Sequence, residues 1–388
     1  MNKEATDQKE KILWITSACL SSKCNRGCSH CFFDADMEGG QFFSVENAEF
    51  LAKEIKKGQR LSREVDLWSR LDLTGDGELL LNPDLVEIFD ILFGRNKKIR
   101  GAIVTSGVDS KSPEEAKRLK KILSRGYASQ LSFHLSFNLF EKHFPKRLTQ
   151  TLKLLFENGV KKVGIKICQT RYETMKTASR LYRLIFFYFI KWIREIDPLA
   201  SWEAIQDCYL DRDAEKMTND LARLNGGCDP AKMRTLSSRE IIEDMVFFQS
   251  MYDRTFRFVT KFGELEITVE PHYLTKQGRA VNLSDPGFPR NKHKRPCGFL
   301  DQYEKCYMHI GADGFYYPSC SCPNVKSLRI GHLREDSRIV YHRWLYLRKV
   351  LFGAIIKDQR LYKDSLCQFC QKVSTQLYYE LRSKSLCC

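Results

Sequence analysis

The feature that most constrains the fold is a repeated alternation between short apolar runs and segments of helical periodicity, extending from Lys11 to about Thr170. Such alternation is typical of βα units that build a parallel sheet, so we predict an α/β fold. The predicted strands are Ile12–Ser17, Val65–Thr74, Arg100–Thr105, Leu131–Ser136 and Lys162–Cys168. The predicted helices between them are Ser44–Lys57, Pro83–Phe93, Pro113–Leu123 and Arg147–Asn158.

The third of these helices has the clearest start signal. Ser112 is predicted as its N-cap, and Pro113 occupies the first helical position. Glu115 lies three residues after Ser112, where it completes a capping box.

A sixth predicted strand, Glu264–Glu270, follows only after a long interval. Residues 171–260 exceed what one crossover needs and carry helical patterns near Met175–Glu195 and Ser238–Tyr252. We therefore expect an inserted helical subdomain, since insertions on the loop side of a βα scaffold commonly shape the substrate site. A shift to a composition rich in Pro, Lys and Cys marks a boundary near residue 285. The predicted domains are residues 10–285 and a small Cys-rich domain over residues 286–388.

The composition indicates a folded protein and suggests its compartment. Of the 388 residues, 43% are hydrophobic and 29% charged, which is ordinary for a globular chain. The polar N-terminus lacks the apolar core of a secretory signal, and the longest apolar run, Leu184–Ile190, is shorter than the about 20 residues that span a bilayer. Because the cytosol keeps thiols reduced, the 15 cysteines favour metal ligation over disulfides. We expect a cytoplasmic protein with no membrane partner.

The formal net charge of +15 favours acidic partners. The basic residues are scattered, with their densest patch at Arg290–Arg295, and no specific nucleic-acid-binding motif accompanies them. A solvated basic surface is the simpler interpretation, and a site for an acidic peptide or a phosphorylated substrate is the alternative.

Three cysteines at CxxxCxxC spacing, Cys24, Cys28 and Cys31, form the strongest local motif, in the loop after the first predicted strand. Three thiolates on one tight loop can each bind one iron of a cubane, which leaves the fourth iron without a protein ligand. An iron–sulfur cluster normally takes four cysteines. An iron without a protein ligand therefore has a free coordination site for reaction, as a catalytic zinc does. The alternative is a zinc knuckle, although zinc sites favour two separated cysteine pairs.

The spacing, its position after the first strand and the motifs downstream resemble the radical S-adenosylmethionine (radical SAM) superfamily. The resemblance implies a partial (β/α)6 TIM-like barrel, with its site at the carboxyl edge of the strands. It also implies an open iron that binds the amino and carboxylate groups of the methionine moiety. Electron transfer into the sulfonium would give methionine and a 5′-deoxyadenosyl radical that abstracts a substrate hydrogen. His30 lies where the family often has an aromatic residue beside the adenine, and Phe32 is adjacent.

The second predicted strand leads into a glycine-rich turn that resembles the family's glycine-glycine-glutamate-proline motif. Gly75, Gly77 and Glu78 correspond to it, which implies that they meet the methionine amino group. Glycines let backbone carbonyls approach closely, and a carboxylate attracts an ammonium. Two departures stand out, because Asp76 separates the glycines and Leu79 replaces the usual proline. The alternative is a plain strand-to-helix turn.

Further residues at strand ends resemble the family's cosubstrate contacts. Hydroxyl and amide groups there can bond the ribose, while simple capping of the strand ends is the alternative. The resemblance also implies that the fifth strand contacts the adenine through its backbone and Ile165. The simpler interpretation is that this strand belongs only to the buried core. The residues concerned are Ser106 and Ser136, Asn138, and Ile165.

The C-terminal cysteines resemble the family's auxiliary-cluster extensions, called SPASM in the two-cluster form and twitch in the shorter form. Around Asp313-Gly314 an Asp-Gly turn fits a hairpin that presents a cysteine from its second strand. One auxiliary [4Fe–4S] cluster is favoured, and a structural zinc on the same residues is the alternative. The preferred ligands are Cys297, Cys320, Cys367 and Cys370, with Cys306 and Cys322 as rivals and Cys387 and Cys388 as a further pair.

The resemblance thus implies a radical SAM enzyme that uses a [4Fe–4S] cluster, SAM and an electron donor such as flavodoxin or ferredoxin. The basic charge and the large insertion favour a peptide or protein substrate. Oxidation of a carbohydrate-like small molecule is the runner-up. A non-catalytic iron–sulfur or zinc-binding interaction protein is the alternative from another class.

Overall fold

The computed structural model describes residues 13–28, 31, 33, 35, 38–61, 70–74, 76–137, 144–169, 193–205, 255–273, 306–318, 328–357 and 375–376. Within these ranges, eleven strands form one sheet in the order β11-β10-β9-β1-β2-β3-β4-β5-β8-β7-β6. The strands that belong to the βα units are β1 Leu13–Cys19, β2 Arg70–Thr74, β3 Arg100–Thr105, β4 Leu131–Phe137 and β5 Lys162–Gln169. The remaining strands are β6 Ser201–Ile205, β7 Thr255–Thr260, β8 Gly263–Tyr273, β9 Cys306–Ile310, β10 Phe315–Pro318 and β11 Gly331–His332.

Five α-helices in the described ranges cross between strands or follow the sheet. They are α1 Val45–Leu61, α2 Leu85–Phe89, α3 Pro113–Leu123, α4 Phe144–Glu157 and α5 Ser337–Lys357. A π-helical turn, Asp90–Gly94, continues α2. The helices bury one apolar face, as Leu51 and Ile55 do on α1, and together with the sheet they form one hydrophobic core.

The middle of the sheet is parallel, with neighbouring strands from β9 through β1 to β5 and β8 all running the same way. The carboxyl ends of these strands therefore lie at one edge, where ligands bind in open α/β sheets. This confirms the predicted α/β class and agrees with a partial (β/α)6 barrel. The predicted sixth strand is β8, which pairs with β5 in parallel.

Strands β6 and β7 were not predicted, since residues 171–260 were expected to be helical. β7 pairs antiparallel with β8, and β6 pairs antiparallel with β7. A short turn joins β7 to β8 and ends at Gly263, whose φ of 93° favours glycine. The helices predicted for Met175–Glu195 and Ser238–Tyr252 lie almost entirely outside the described residues.

The C-terminal region contributes to the same sheet. β9 pairs with β1 in parallel, with Leu13 opposite Cys306, and β10 returns antiparallel beside β9. The turn between β9 and β10 contains Gly314, with a φ of 77°, which confirms the predicted Asp-Gly hairpin. None of the described helices is both long and apolar enough to cross a membrane.

The start of α3 differs from its prediction. The helix begins at Pro113 as expected, but the Ser112 side chain makes no capping hydrogen bond. The Glu115 carboxylate does not complete a capping box, because it instead accepts hydrogen bonds from Arg26 and from the Asp109 backbone. A stronger, charge-assisted partner has displaced the local cap.

Candidate active site

The three predicted ligands, Cys24, Cys28 and Cys31, lie in the loop that follows β1, at the carboxyl edge of the parallel strands. Hydrogen bonds close the base of this loop: the Ser22 backbone donates to Gln41 O at 2.9 Å, and that of Phe43 to Leu20 O at 3.2 Å. All three thiols are partly exposed. The fold therefore brings them to one accessible loop at the edge where ligands bind.

Backbone N–H groups point at two of the sulfurs. The Ala35 N–H donates to Cys31 Sγ at 3.3 Å, and the Arg26 N–H bonds the Cys24 sulfur. Burial, together with the neighbouring Glu78 and Cys28, nevertheless raises the pKa of Cys24 to about 12. A thiol of this kind stays protonated at neutral pH and loses its proton when a metal binds, so Cys24 suits ligation better than free nucleophilic attack.

The donor set fits a cluster better than a single ion. In the part of the chain that the structure describes, no three Cys, His, Asp or Glu side chains converge closely enough to hold one metal ion. A cubane binds each thiolate through a separate iron, so its ligands do not have to meet at one point. Three soft sulfur donors are also the ligands that iron–sulfur clusters take.

The turn after β2 packs directly against the cysteine loop. The Gly77 N–H donates to Ser21 O at 2.7 Å, and the Glu78 N–H donates to Lys23 O at 2.9 Å. A Cβ atom at Gly77 would lie 2.2 Å from Lys23 O, so no other residue fits without moving the backbone. Gly77 is therefore required by close approach to the residue that precedes Cys24.

Glu78 is buried and joins the end of β2 to the end of β3. Its carboxylate accepts hydrogen bonds from Thr105 Oγ1 at 2.6 Å, and from the backbone and hydroxyl of Ser106 at 2.9 and 2.6 Å. The Leu80 N–H donates to it as well, at 3.2 Å. A carboxylate has about four acceptor positions, and four donors already use them. Contact between Glu78 and the methionine ammonium stays a prediction.

The other described candidates occupy distinct surroundings. Ser106 follows β3 and bonds both Glu78 and Arg26. Ser136 lies on β4, half-buried and opposite Lys166 of β5. Ile165 is fully buried in the hydrophobic core, as the simpler account of this residue predicted. Ribose and adenine contacts through these residues stay predictions.

Several predicted site residues lie outside the described residues, and their roles stay predictions. They are His30, Phe32, Gly75, Asn138, Cys297, Cys320, Cys322, Cys367, Cys370, Cys387 and Cys388. Cys306, a rival auxiliary ligand, is the first residue of β9.

The structure also reveals residues that the motifs did not identify. Arg26, between Cys24 and Cys28, is buried and bonds four groups beyond the loop. Asp76, noted only as a departure from the glycine motif, lies near His309 of β9. A charged residue inside a ligand loop and a polar residue that interrupts a motif were the available signals, but neither specified a partner.

The fold is thus an α/β sheet with a parallel centre, and the three-cysteine loop lies at its carboxyl edge, where ligands bind in such sheets. Residues 19–185 match the family described as the Radical SAM superfamily. This segment, less than half of the chain, is thus similar to the radical SAM family, whose members are enzymes that use a [4Fe–4S] cluster and SAM. No curated protein matches the chain.

Two solved structures are similar to the chain at low identity. SuiB of Streptococcus suis is 15% identical with a TM-score of 0.43, and the match covers 85% of this chain and 66% of the SuiB chain. The chain thus spans just under two thirds of the SuiB length. BtrN, in complex with AdoMet and 2-DOIA, is 12% identical with a TM-score of 0.38, and 88% of each chain is covered.

Proposed function

We propose that this chain reductively cleaves SAM at a cluster held by Cys24, Cys28 and Cys31, and that the resulting radical abstracts a hydrogen from a peptide or protein. The observation that carries the proposal is the loop itself: three partly exposed thiols at CxxxCxxC spacing, on the carboxyl edge of a parallel sheet within a radical SAM domain. A [4Fe–4S] cluster bound there supplies the electron that splits SAM into methionine and a 5′-deoxyadenosyl radical.

The chain's own residues hold and orient these groups. The turn at Gly77 and Glu78 fixes the backbone just before Cys24 through two hydrogen bonds. The first turn of the loop is closed by the Cys31 N–H, which donates to Cys28 O at 3.2 Å. We assign the cosubstrate to the same edge, beside Ser106 after β3 and Ser136 near the end of β4, whose half-buried hydroxyl groups can bond the methionine and ribose moieties.

The substrate class rests on charge. A net charge of +15 attracts acidic segments, and this supports a peptide or protein substrate over a neutral metabolite. Dehydrogenation of a carbohydrate-like small molecule is the second candidate.

We further propose one auxiliary [4Fe–4S] cluster in a domain over residues 286–388, with Cys297, Cys320, Cys367 and Cys370 as its ligands. We also propose a flavodoxin or ferredoxin as the reductant and a cytoplasmic location.

The decisive experiment is anaerobic reconstitution with iron and sulfide, followed by dithionite and SAM, with 5′-deoxyadenosine measured by chromatography. The enzyme is expected to release this product, and Cys28→Ala to abolish it, because two thiolates do not hold the catalytic cluster. Ser124→Ala is the control, since Ser124 is an exposed residue just after α3, and its product yield should stay near wild type. An iron-loaded protein that forms no 5′-deoxyadenosine would instead be a binding protein.

Hydrogen abstraction is tested separately with deuterated candidate substrates. A peptide encoded near the gene and a deuterated aminocyclitol are incubated with the reduced enzyme and SAM. Deuterium in the 5′-deoxyadenosine from the peptide supports the proposed class, whereas deuterium from the aminocyclitol alone supports the second candidate.

A further inference from the structure

Arg26 lies between Cys24 and Cys28 in the chain, yet its side chain points away from solvent and is only 1% exposed. Its guanidinium makes four hydrogen bonds to groups outside the cysteine loop. Nε donates to Ser106 Oγ at 2.9 Å, and Nη1 donates to Asp109 Oδ2 at 3.1 Å. Nη2 donates to Gly107 O at 2.6 Å and to Glu115 Oε2 at 2.9 Å. A planar guanidinium group that makes four hydrogen bonds is held in a single orientation.

These contacts fix the loop on both sides of Cys24. Before the cysteine, Lys23 O accepts the Glu78 N–H. After it, Arg26 bonds Ser106, whose hydroxyl donates to the Glu78 carboxylate at 2.6 Å. The backbone and side-chain contacts therefore form a closed ring around Cys24 that passes through a single carboxylate.

The loop backbone also accommodates this insertion. Gly27 has a φ of 62°, a left-handed conformation that favours glycine, so the chain can turn back immediately after Arg26. The Arg26 side chain can thus point inward while Cys28, two residues later, returns to the accessible side of the loop. The Asn25 amide adds a long hydrogen bond to the other oxygen of Glu115, at 3.4 Å.

The charges of the side chains around Arg26 are balanced. Two carboxylates, Asp109 and the fully buried Glu115, face the Arg26 guanidinium, and Arg147 of α4 shares Asp109 at 3.1 Å. Removing one member of a buried ionic network leaves its partners uncompensated, which costs more than the pair itself contributes. The loop is consequently anchored to the beginning of α3 by an interaction that tolerates little displacement.

We propose that Arg26 is a positioning residue for the iron–sulfur cluster: it sets the position of Cys24 relative to Cys28 by anchoring the loop between them to Ser106, Asp109 and Glu115. This inference rests on the proposed function, because it takes the two cysteines as cluster ligands. Arg26 itself contacts neither the cosubstrate nor the cluster in this role; it acts through the backbone of the ligands.

The test compares Arg26→Gln and Arg26→Lys with Arg125→Gln, which removes a half-exposed arginine that pairs with Asp90, outside the Arg26 network. Each reconstituted variant is measured for iron per chain, for the electron paramagnetic resonance spectrum of the reduced cluster with and without SAM, and for 5′-deoxyadenosine formation. Arg26→Gln should lose about 10- to 100-fold in cluster retention or turnover, the range found for residues that orient metal ligands. Arg26→Lys keeps the positive charge but lacks the planar guanidinium, so its cluster retention and turnover should lie between those of Arg26→Gln and wild type.

Arg125→Gln should keep wild-type iron content and spectrum, within about twofold in turnover, because Arg125 makes no ligand-orienting contact of this kind in the described ion pairs. Equal losses in Arg125→Gln and Arg26→Gln, or a wild-type spectrum and rate in both Arg26 variants, would overturn the inference. Should Arg26→Gln not fold, Arg26→Lys carries the comparison with the same readouts. The spectrum without SAM separates the two proposals: a wild-type cluster that yields no 5′-deoxyadenosine refutes the function, whereas cluster loss confined to the Arg26 variants still supports positioning.

Discussion

His309 Nε2 lies 3.8 Å from Asp76 Oδ1, and both side chains are almost completely buried. Asp76 belongs to the glycine-rich turn after β2, whereas His309 is on β9, the strand from the Cys-rich C-terminal region. Among the described residues, neither of these two atoms has a hydrogen-bond partner. The C-terminal strand therefore meets the predicted cosubstrate turn through a titratable pair.

Asp76→Asn should remove a pH-dependent loss of stability. Burial, with a smaller contribution from Asp313, raises the pKa of Asp76 to about 8, although a hydrogen bond with Cys19 opposes the shift. The folded state thus holds a proton that the unfolded chain releases near pH 3.8, and the stability this contributes is lost as the pH rises through about 8. Between pH 6.5 and 8 the wild type should lose up to about 1 kcal/mol per pH unit relative to Asp76→Asn.

The measurement is anaerobic urea denaturation of both proteins at pH 6.5, 7.25 and 8. Burial lowers the pKa of His309 to about 4, so its side chain is neutral in the folded state throughout this window, and its protonation in the unfolded chain is common to both proteins and cancels in the comparison. A constant difference between the two stabilities across the window would show that Asp76 is already ionised at pH 6.5.

His309→Gln should have its effect at lower pH. Because burial depresses the pKa of His309 from 6.5 to about 4, with Asp313 opposing the shift, the unfolded chain takes up a proton that the folded chain refuses. Stability is therefore lost as the pH falls from about 6.5 towards 4. Thermal unfolding at pH 6.5 and 5 should show a smaller acid-induced decrease in His309→Gln than in the wild type. Equal decreases would contradict the assignment.

The sequence predicted much of the fold because the relevant signals were local. α3 and β3 begin and end at the predicted residues, since Pro113 marks a helix start and the apolar run at Arg100–Thr105 has strand length. The pairing of β9 with β1 was not predictable, because those strands are almost 300 residues apart and nothing in either apolar run specifies its neighbour. Strands β6 and β7 were missed because a long insertion was interpreted from its helical segments alone.

The candidate site divides in the same way. The cysteine spacing and the position of Gly77 were readable, because ligand spacing and glycine turns leave direct marks in a sequence. The partners of the buried carboxylates could not be predicted from the sequence. Glu115 was predicted as a helix cap but binds Arg26, which lies 89 residues earlier in the chain. Long-range pairing of buried charges depends on the assembled fold, so no local pattern specifies it.

Gly77→Ala should disturb the cysteine loop. The added Cβ would lie 2.2 Å from Lys23 O and 2.6 Å from Lys23 C, so the backbone of the turn or of the loop has to move. Overpacking of this kind typically costs about 1–3 kcal/mol, and here it displaces the residue before Cys24. We expect weaker SAM binding, measured by equilibrium dialysis on the reconstituted protein, together with a lower denaturation midpoint.

Gly126→Ala is the matched control for that variant, because a Cβ at Gly126 meets nothing within 4 Å. Its stability should stay within about 0.5 kcal/mol of wild type, as for most surface substitutions. If Gly77→Ala bound SAM as well as Gly126→Ala does, the close approach of the turn to the loop would not matter for the cosubstrate.

Glu78→Gln should destabilise the junction between β2 and β3. The buried carboxylate accepts from Thr105 Oγ1, the Ser106 backbone and the Ser106 hydroxyl, so replacing one oxygen with an amide nitrogen sets donors against donors. A buried donor left without an acceptor costs about 1–3 kcal/mol, which urea denaturation can resolve. Thr105→Ser keeps the hydroxyl that donates to the carboxylate and accepts from the Gly107 N–H, so its cost should be smaller. Glu78→Gln should also lower iron retention, because Ser106 connects this carboxylate to Arg26 and hence to the loop that carries Cys24. Wild-type stability together with a selective loss of SAM affinity in Glu78→Gln would instead assign Glu78 to direct contact with the methionine ammonium.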